Sequence, residues 1–298
     1  MWISKKIRMT FFYCVTARKS RTVRCVMQNK PDYHIVSLSG GKDSTAMLLM
    51  MIEKKMPIDL VIFCDTGLEF PEMYEHLDKL ESETGIQITR LKAKHSFEHY
   101  FSQHHINRKD YKGFCDKFGT GYEGYGWPRP KQRWCTSRLK DTPREQFLSP
   151  LRKKYNIIEY IGIAADERYR LDRKRNRNAN HRHPLVDWGM TEADCLKLCY
   201  ERGYDWSGLY KKFHRVSCWC CPLQSLKELR ILWHDYPELW VQLKRWDKMT
   251  WRGFRADYNV EELECRFQYE QECIRNGRLI RGREFFSELR KRLNERCM

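Results

Sequence analysis

Hydrophobic and polar positions alternate between two regimes along this chain. His34-Ile-Val-Ser-Leu38 is a short apolar run that predicts a strand, Ser39 to Thr45 is polar and carries two glycines, and Ala46 to Lys55 predicts a helix. A second run, Asp59-Leu-Val-Ile-Phe-Cys64, is almost wholly apolar and suits the buried centre of a parallel sheet. Ile157 to Ile163 predicts a further strand, and a helix follows Trp188. Beyond Pro222 apolar residues recur at spacings of three and four, with Trp233, Trp240, Trp246 and Trp251 set among Lys and Arg. That pattern predicts amphipathic helices whose tryptophans form a core or, with their basic neighbours, stack nucleic-acid bases. The fold expected is α/β, a doubly wound parallel sheet with a C-terminal α-helical region. Segments 1–30, 31–225 and 226–298 divide it into a basic extension, the α/β domain and the helices.

A strand, a glycine-bearing turn and a helix together make an anion site, because backbone N–H groups at a helix start point at the ligand and glycine permits close approach. Gly40 and Gly41 stand at that turn, whose spacing is too short for a Walker loop. Asp65 closes the second strand, where a carboxylate reaches the ligand crevice of a doubly wound sheet or caps the next helix. Cys218 and Cys221 have the C-x-x-C spacing at which two thiolates reach one metal.

Ser39-Gly-Gly-Lys-Asp-Ser44 resembles the signature of the PP-loop ATP pyrophosphatases. Asp65-Thr-Gly-Leu-Glu-Phe-Pro-Glu72 follows it, then Gln132 to Lys140, Ile161 to Arg168, Pro184 to Trp188, Gly208-Leu-Tyr210 and Cys218-Trp-Cys-Cys-Pro222. This ordered series, over roughly residues 33–225, resembles the phosphoadenylylsulfate (PAPS) reductase family within that superfamily. The resemblance implies a loop that holds the β- and γ-phosphates of ATP as a leaving group while the α-phosphate is attacked. Lys42 and the hydroxyls of Ser39, Ser44 and Thr45 then stabilise its charge, Asp43 places Mg²⁺, and Asp65 joins them as a catalytic candidate. Asp166, Glu167 and Arg168 face the nucleotide. Cys135, Cys218 and Cys221 are candidate metal ligands, with Cys220 or His214 as a fourth; a [4Fe-4S] cluster, Zn²⁺ and no metal all stay open.

Three functions follow from the resemblance. The first is cleavage of ATP to AMP and pyrophosphate to activate an acceptor, for sulfur transfer to nucleic acid. The second is thiol-dependent reduction of PAPS or adenylylsulfate to sulfite, served by a thioredoxin-like partner. For that, Glu295-Arg-Cys297 is a poor counterpart of the reductases' Glu-Cys-Gly tail, and the intact loop also argues against it. The third is a nucleotide-binding regulator without turnover.

Composition sharpens the choice of partner. The 298 residues carry 56 Lys and Arg against 39 Asp and Glu, a formal charge of +17. An excess of this size exceeds the need of one nucleotide and favours a polyanion, DNA or RNA. Arg170, Arg173, Lys174, Arg175 and Arg177 are candidates to clamp phosphate, sulfate or a nucleic-acid backbone, or form a solvated run. The first 30 residues hold eight cations and no acid, and read as a basic arm, a presequence-like leader, or translation upstream of a start at Met27. Thirteen scattered cysteines and no long apolar run predict a soluble, cytoplasmic protein with reduced thiols. Gly119 to Trp127 reads as a lid or a family-specific insertion, and His95, His99, His104 and His105 as solvated surface histidines.

Overall fold

The computed structural model describes residues 30–106, 123–172, 178–216 and 218–296. Residues 1–29 of the basic arm, residues 119–122 of the expected lid, the Arg173 to Arg177 run and Cys297 lie outside these residues. Pro31–Met298 is one compact unit.

Five parallel strands form the sheet: β1 (Asp32–Leu38), β2 (Leu60–Asp65), β3 (Ile88–Lys92), β4 (Asn156–Ile161) and β5 (His181–Arg182), in the order β3-β2-β1-β4-β5. Register sets the two faces. Val36 lies opposite Val61 and Leu38 opposite Phe63, so these four project to one face. There they pack with helices α1 (Lys42–Glu53) and α2 (Pro71–Thr84) through Ala46, Leu48 and Leu77. Ile35, Ile62 and Ile157 project to the other face and meet Leu148 of α3 (Thr142–Lys154). Apolar residues at consecutive strand positions are thus explained: both faces are covered.

Sheet order also places the site. β1 pairs with β2 on one side and β4 on the other, so the connections leaving their carboxyl ends diverge and open a crevice. Ser39 to Lys42 and Gly162 to Asp166 border it. Gly162 presses against the start of α1; a Cβ there would lie 2.9 Å from Ser44 Cα, so no side chain fits without moving the phosphate loop.

After α4 (Glu192–Glu201) and a single helical turn, Leu209–Lys212, the described residues form four longer helices: α5 (Leu226–Asp235), α6 (Pro237–Lys248), α7 (Val260–Arg275) and α8 (Arg283–Arg296). Reciprocal capping boxes, Ser225 with Glu228 and Asn259 with Glu262, start α5 and α7. Trp240 and Trp246 are buried, and Trp246 stacks on Trp219 with centroids 5.3 Å apart and planes at 15°. Trp127 Nε1 donates to Asp247 at 2.8 Å. The composition change near residue 225 is therefore not a packing boundary, because α5 and α6 share the main core with α1 and α2.

The described end of the expected lid is built into this core. Gly124, Tyr125 and Gly126 donate backbone hydrogen bonds to His104, Tyr100 and Phe101, and Trp127 is fully buried. A Cβ on Gly124 would fall 2.1 Å from the Phe101 carbonyl oxygen. Of the nearby histidines, His95 and His105 are exposed, as expected, and His99 and His104 are half-buried; His95 stacks on His99 at 4.2 Å, and His104 lies on Tyr125 at 5.3 Å. No helix among the described residues is long and apolar enough to cross a membrane.

Candidate functional site

The phosphate loop runs from the end of β1 into α1. Gly40 has φ +77°, where a Cβ would lie 2.5 Å from Met73 Sδ, so glycine is required both by conformation and by space. Gly41 caps α1 without a side chain. One amide of the first turn is taken from afar, since Lys42 N donates to Tyr210 Oη at 2.8 Å. Ser39 and Ser44 hold the turn closed, with hydroxyl oxygens 2.9 Å apart and Ser39 N donating to Ser44 Oγ at 3.1 Å. Thr45 Oγ1 is buried 3.0 Å from His76 Nε2, and Trp206 Nε1 donates to the Gly40 carbonyl at 2.8 Å. Thr45 therefore frames the loop instead of facing the crevice.

Charge in the loop is unevenly satisfied. Lys42 Nζ donates to Glu192 Oε2 at 2.6 Å, at the start of α4, and lies 3.6 Å from Asp43 Oδ1. Burial works against the Lys42 ammonium, but Glu192 and Asp43 outweigh it and hold its pKa above the usual value. Burial pushes Asp43 up to about 6, with Glu192 and Glu167 adding to the shift and Lys42 opposing it. Asp43 Oδ1 is buried and accepts no hydrogen bond. A buried carboxylate oxygen short of a donor is the kind of group that a hard cation satisfies, so Asp43 fits Mg²⁺.

Residues from the neighbouring loops frame the crevice. Asp166 accepts the Glu192 N–H with both oxygens, at 3.1 and 3.3 Å, so it anchors α4. Glu167 pairs with Arg170, and Arg168 is exposed. Asp65 Oδ1 accepts from Gly67 N at 2.9 Å and Tyr74 Oη at 2.8 Å, while Oδ2 lies 3.3 Å from Lys92. Its two oxygens are thus engaged in shaping the turn after β2.

Beside this loop lies a pocket of about 530 Å³. Cys135, Cys218, Cys220 and Cys221 line it, although 83 residues separate the first two, together with His214, Lys140 and the cations Arg133, Arg215 and Lys227. Thr66 ties it to β2: its hydroxyl donates to Glu69 at 2.8 Å and lies 3.9 Å from Cys218 Sγ. Burial pushes the Cys218 thiol up to about 12 against the pull of Lys140, and raises Cys135, Cys220 and Cys221 as well. These sulfurs are the right donor type for a thiophilic metal. Among the described residues, however, no three His, Cys, Asp or Glu side chains are arranged to hold one. The three sulfurs share a pocket but not a common coordination point.

Arg215 joins the two places. Its charge helps lower the Glu192 carboxyl, where burial is opposed chiefly by Lys42, and it also draws down the Cys221 thiol that burial raises. A glycine-bearing loop at a sheet switch point, and a thiol-lined basic pocket reached by the turn after β2, form the frame into which the sequence comparison fits. Residues 33–224 match the phosphoadenosine phosphosulfate reductase domain. The chain belongs to this family. Among its relatives are two uncharacterized proteins of Methanocaldococcus jannaschii, MJ0066 and MJ0973. The first is 25% identical over 237 residues, covering 76% of this chain and 43% of the relative. The second is 30% identical over 250 residues, covering 80% and 54%. A 37.8 kDa protein of Escherichia phage 186 is 25% identical over 254 residues, covering 73% of this chain and 75% of its own length. The chain spans about half the length of the two archaeal relatives.

Within this PAPS reductase-family domain, sequence reasoning missed Glu192, Tyr210 and His76. Tyr210 lay in the Gly208-Leu-Tyr segment, but nothing local shows that its hydroxyl reaches a helix start 168 positions earlier. Glu192 and His76 carry no motif at all. They become visible only when α4 and α2 pack beside α1.

Proposed function

We propose that this PAPS reductase-family chain is an enzyme that binds an adenine nucleotide on Ser39 to Lys42 and cleaves ATP between its α- and β-phosphates. The observation that carries the reading is the intact loop in which a buried Asp43 oxygen lacks a donor beside the Lys42 ammonium. In this reading Gly40 and Gly41 let the phosphates approach the backbone, and Lys42, released in part from Glu192, neutralises the departing pyrophosphate. Asp43 holds Mg²⁺, which when bound offsets the charge on the phosphate oxygens. An acceptor oxygen attacks the α-phosphorus, the bond to the bridging oxygen breaks, and pyrophosphate leaves with the electron pair. AMP stays on the acceptor, poised for displacement by a sulfur nucleophile. Asp65 and Asp166 support this chemistry by positioning the loops that border the crevice, Glu167 is held by Arg170, and the exposed Arg168 is the group of this segment left to meet the nucleotide.

Cys135, Cys218 and Cys221 are the sulfur-handling groups of this reading. Among the described residues their placement does not converge on one point, so they do not fit a shared metal. Reduction of PAPS or adenylylsulfate is the second reading, favoured by the same basic, thiol-lined pocket. It needs a thiolate to attack sulfur; burial raises the four pocket thiols, which leaves that role to Cys297, outside the described residues.

Anaerobic protein incubated with ATP and Mg²⁺ is expected to release pyrophosphate, and Lys42→Ala or Asp43→Ala to lower that rate on the order of a hundredfold with little change in melting temperature. Unchanged rates in both variants overturn the reading. Sulfite release from PAPS with thioredoxin selects the reductase, and nucleotide binding without either product selects a regulator.

A further inference from the structure

Lys42 is the cation of the phosphate loop, and its side chain is held by an anion of the chain itself. Its Nζ donates to Glu192 Oε2 at 2.6 Å, while its backbone N–H donates to Tyr210 Oη at 2.8 Å. The two ends of the ion pair differ in freedom: the Lys42 side chain is 10% exposed and that of Glu192 27%, so the carboxylate has the more open side from which to leave. The backbone of Glu192 is pinned, because its N–H donates to Asp166 and a reciprocal capping box of Thr191 with Asp194 closes the start of α4. Any movement therefore falls on the Glu192 side chain. A second set of groups stands within electrostatic reach of it. His214 and Arg215 follow Tyr210 on one segment, are exposed and form no ion pair among the described residues, whereas Lys212 of that segment is paired with Asp235. Burial works to raise the Glu192 carboxyl, Lys42 outweighs burial, and His214 and Arg215 pull the same way as Lys42. Of these two, Arg215 is the permanent charge.

A phosphate at this loop brings a further anion to an ammonium already flanked by Glu192 and, at 3.6 Å, by Asp43. Mutual repulsion favours the departure of one carboxylate. Asp43 has Lys42 as its one ion-pair partner among the described residues, so Glu192 is the carboxylate with a second cation to meet. Phosphate prevails in the exchange because it also meets backbone N–H groups of the loop. We propose that Glu192 is a gate on the phosphate loop: it competes with phosphate for Lys42 and passes to Arg215 when phosphate takes the ammonium. The gate rests on the reading of Ser39 to Lys42 as the phosphate site. Its two positions join that loop to the mouth of the thiol pocket, which Arg215 lines. By linkage, an anion held on Arg215 opposes the release of Lys42, so loop and mouth take anions in turn.

Calorimetric titration of the full chain, in Mg²⁺, with inorganic pyrophosphate and with an ATP analogue whose α,β-bridge resists cleavage tests the gate. Glu192→Gln keeps an acceptor for Lys42 but not the charge, and is expected to bind both probes more tightly, on the order of tenfold. A residue that merely supported the loop would lose affinity instead. Arg215→Gln is expected to bind both probes several-fold more weakly. Lys211→Gln, which removes an equal charge from the same segment but one not among those acting on Glu192, should bind as the native chain does. When Arg215→Gln is added to Glu192→Gln its loss should vanish, because no carboxylate remains to be moved. The gate is overturned if Glu192→Gln binds no more tightly than the native chain, or if the effects of Glu192→Gln and Arg215→Gln are independent. Should Glu192→Gln fail to fold, the two exposed variants decide: equal affinities in Arg215→Gln and Lys211→Gln overturn the gate. Probes that bind the native chain and every variant alike overturn the gate and leave the phosphate-loop reading standing, whereas probes that bind none of them overturn both.

Discussion

At the level of single residues, His76 shows how a framework group controls a binding loop. Its ring stacks on Trp206 at 4.4 Å and touches Thr45 Oγ1, so one imidazole links α2, the Trp206 turn and the phosphate loop. Burial lowers its pKa to about 4, with Lys79 adding to the shift. The folded state thus binds a proton less readily than the unfolded chain, whose His titrates near 6.5. The stabilisation is present above that unfolded value and is lost as pH falls toward 4, by up to about 3 kcal/mol. Urea unfolding at pH 7 and pH 4.5 should show this loss in the native chain and a shallower dependence in His76→Gln; identical slopes would refute it. The glycines, Lys42 and Asp43 were legible in the sequence because the loop is contiguous and its chemistry is local. Glu192 was not, since its place on Lys42 is a property of its neighbours.

Between elements, a distant tyrosine hydroxyl takes an amide at the start of a helix. Tyr210 follows the Gly208 turn and satisfies Lys42 N, one of the amides that the start of α1 leaves without an intrahelical partner. Tyr210→Phe is expected to cost about 1 kcal/mol of stability in the ligand-free protein by denaturant unfolding. ATP affinity by calorimetry should not fall, because a phosphate oxygen replaces the hydroxyl at that amide. A tenfold weaker affinity would mean that the hydroxyl itself contacts nucleotide. The strands β1, β2 and β4 were readable as apolar runs. β3, Ile88-Thr-Arg-Leu-Lys92, alternates apolar and polar residues over only five positions, and β5 has two, so neither gave a signal above that of a loop. Register and sheet order also escaped, since they depend on which loops close over which strand.

For the molecule as a whole, the family domain and the C-terminal helices are one packing unit. Phe97 lies 5.1 Å from Trp246, and Trp127 donates to Asp247, so removing residues 226–298 would bare large aromatic surface inside the first segment. A fragment of residues 31–225 is expected to aggregate or lack a cooperative thermal transition, as measured by calorimetry; a soluble fragment with a sharp transition would restore the boundary near residue 225. Tryptophan spacing pointed to helices, but it could not say whether they form their own core or complete another. Both halves contribute aromatic rings, and only their contacts decide.

The parallel indoles of Trp219 and Trp246 make that union visible to light. Trp219 sits in sequence between Cys218 and Cys220, which line the thiol pocket, and belongs to the family domain, whereas Trp246 belongs to α6. Rings 5.3 Å apart at 15° couple their electronic transitions, and a thiol at close range quenches indole emission. Near-ultraviolet circular dichroism of this pair therefore reports the docking of the helices, and its fluorescence reports what happens to the neighbouring sulfurs, without any label being attached.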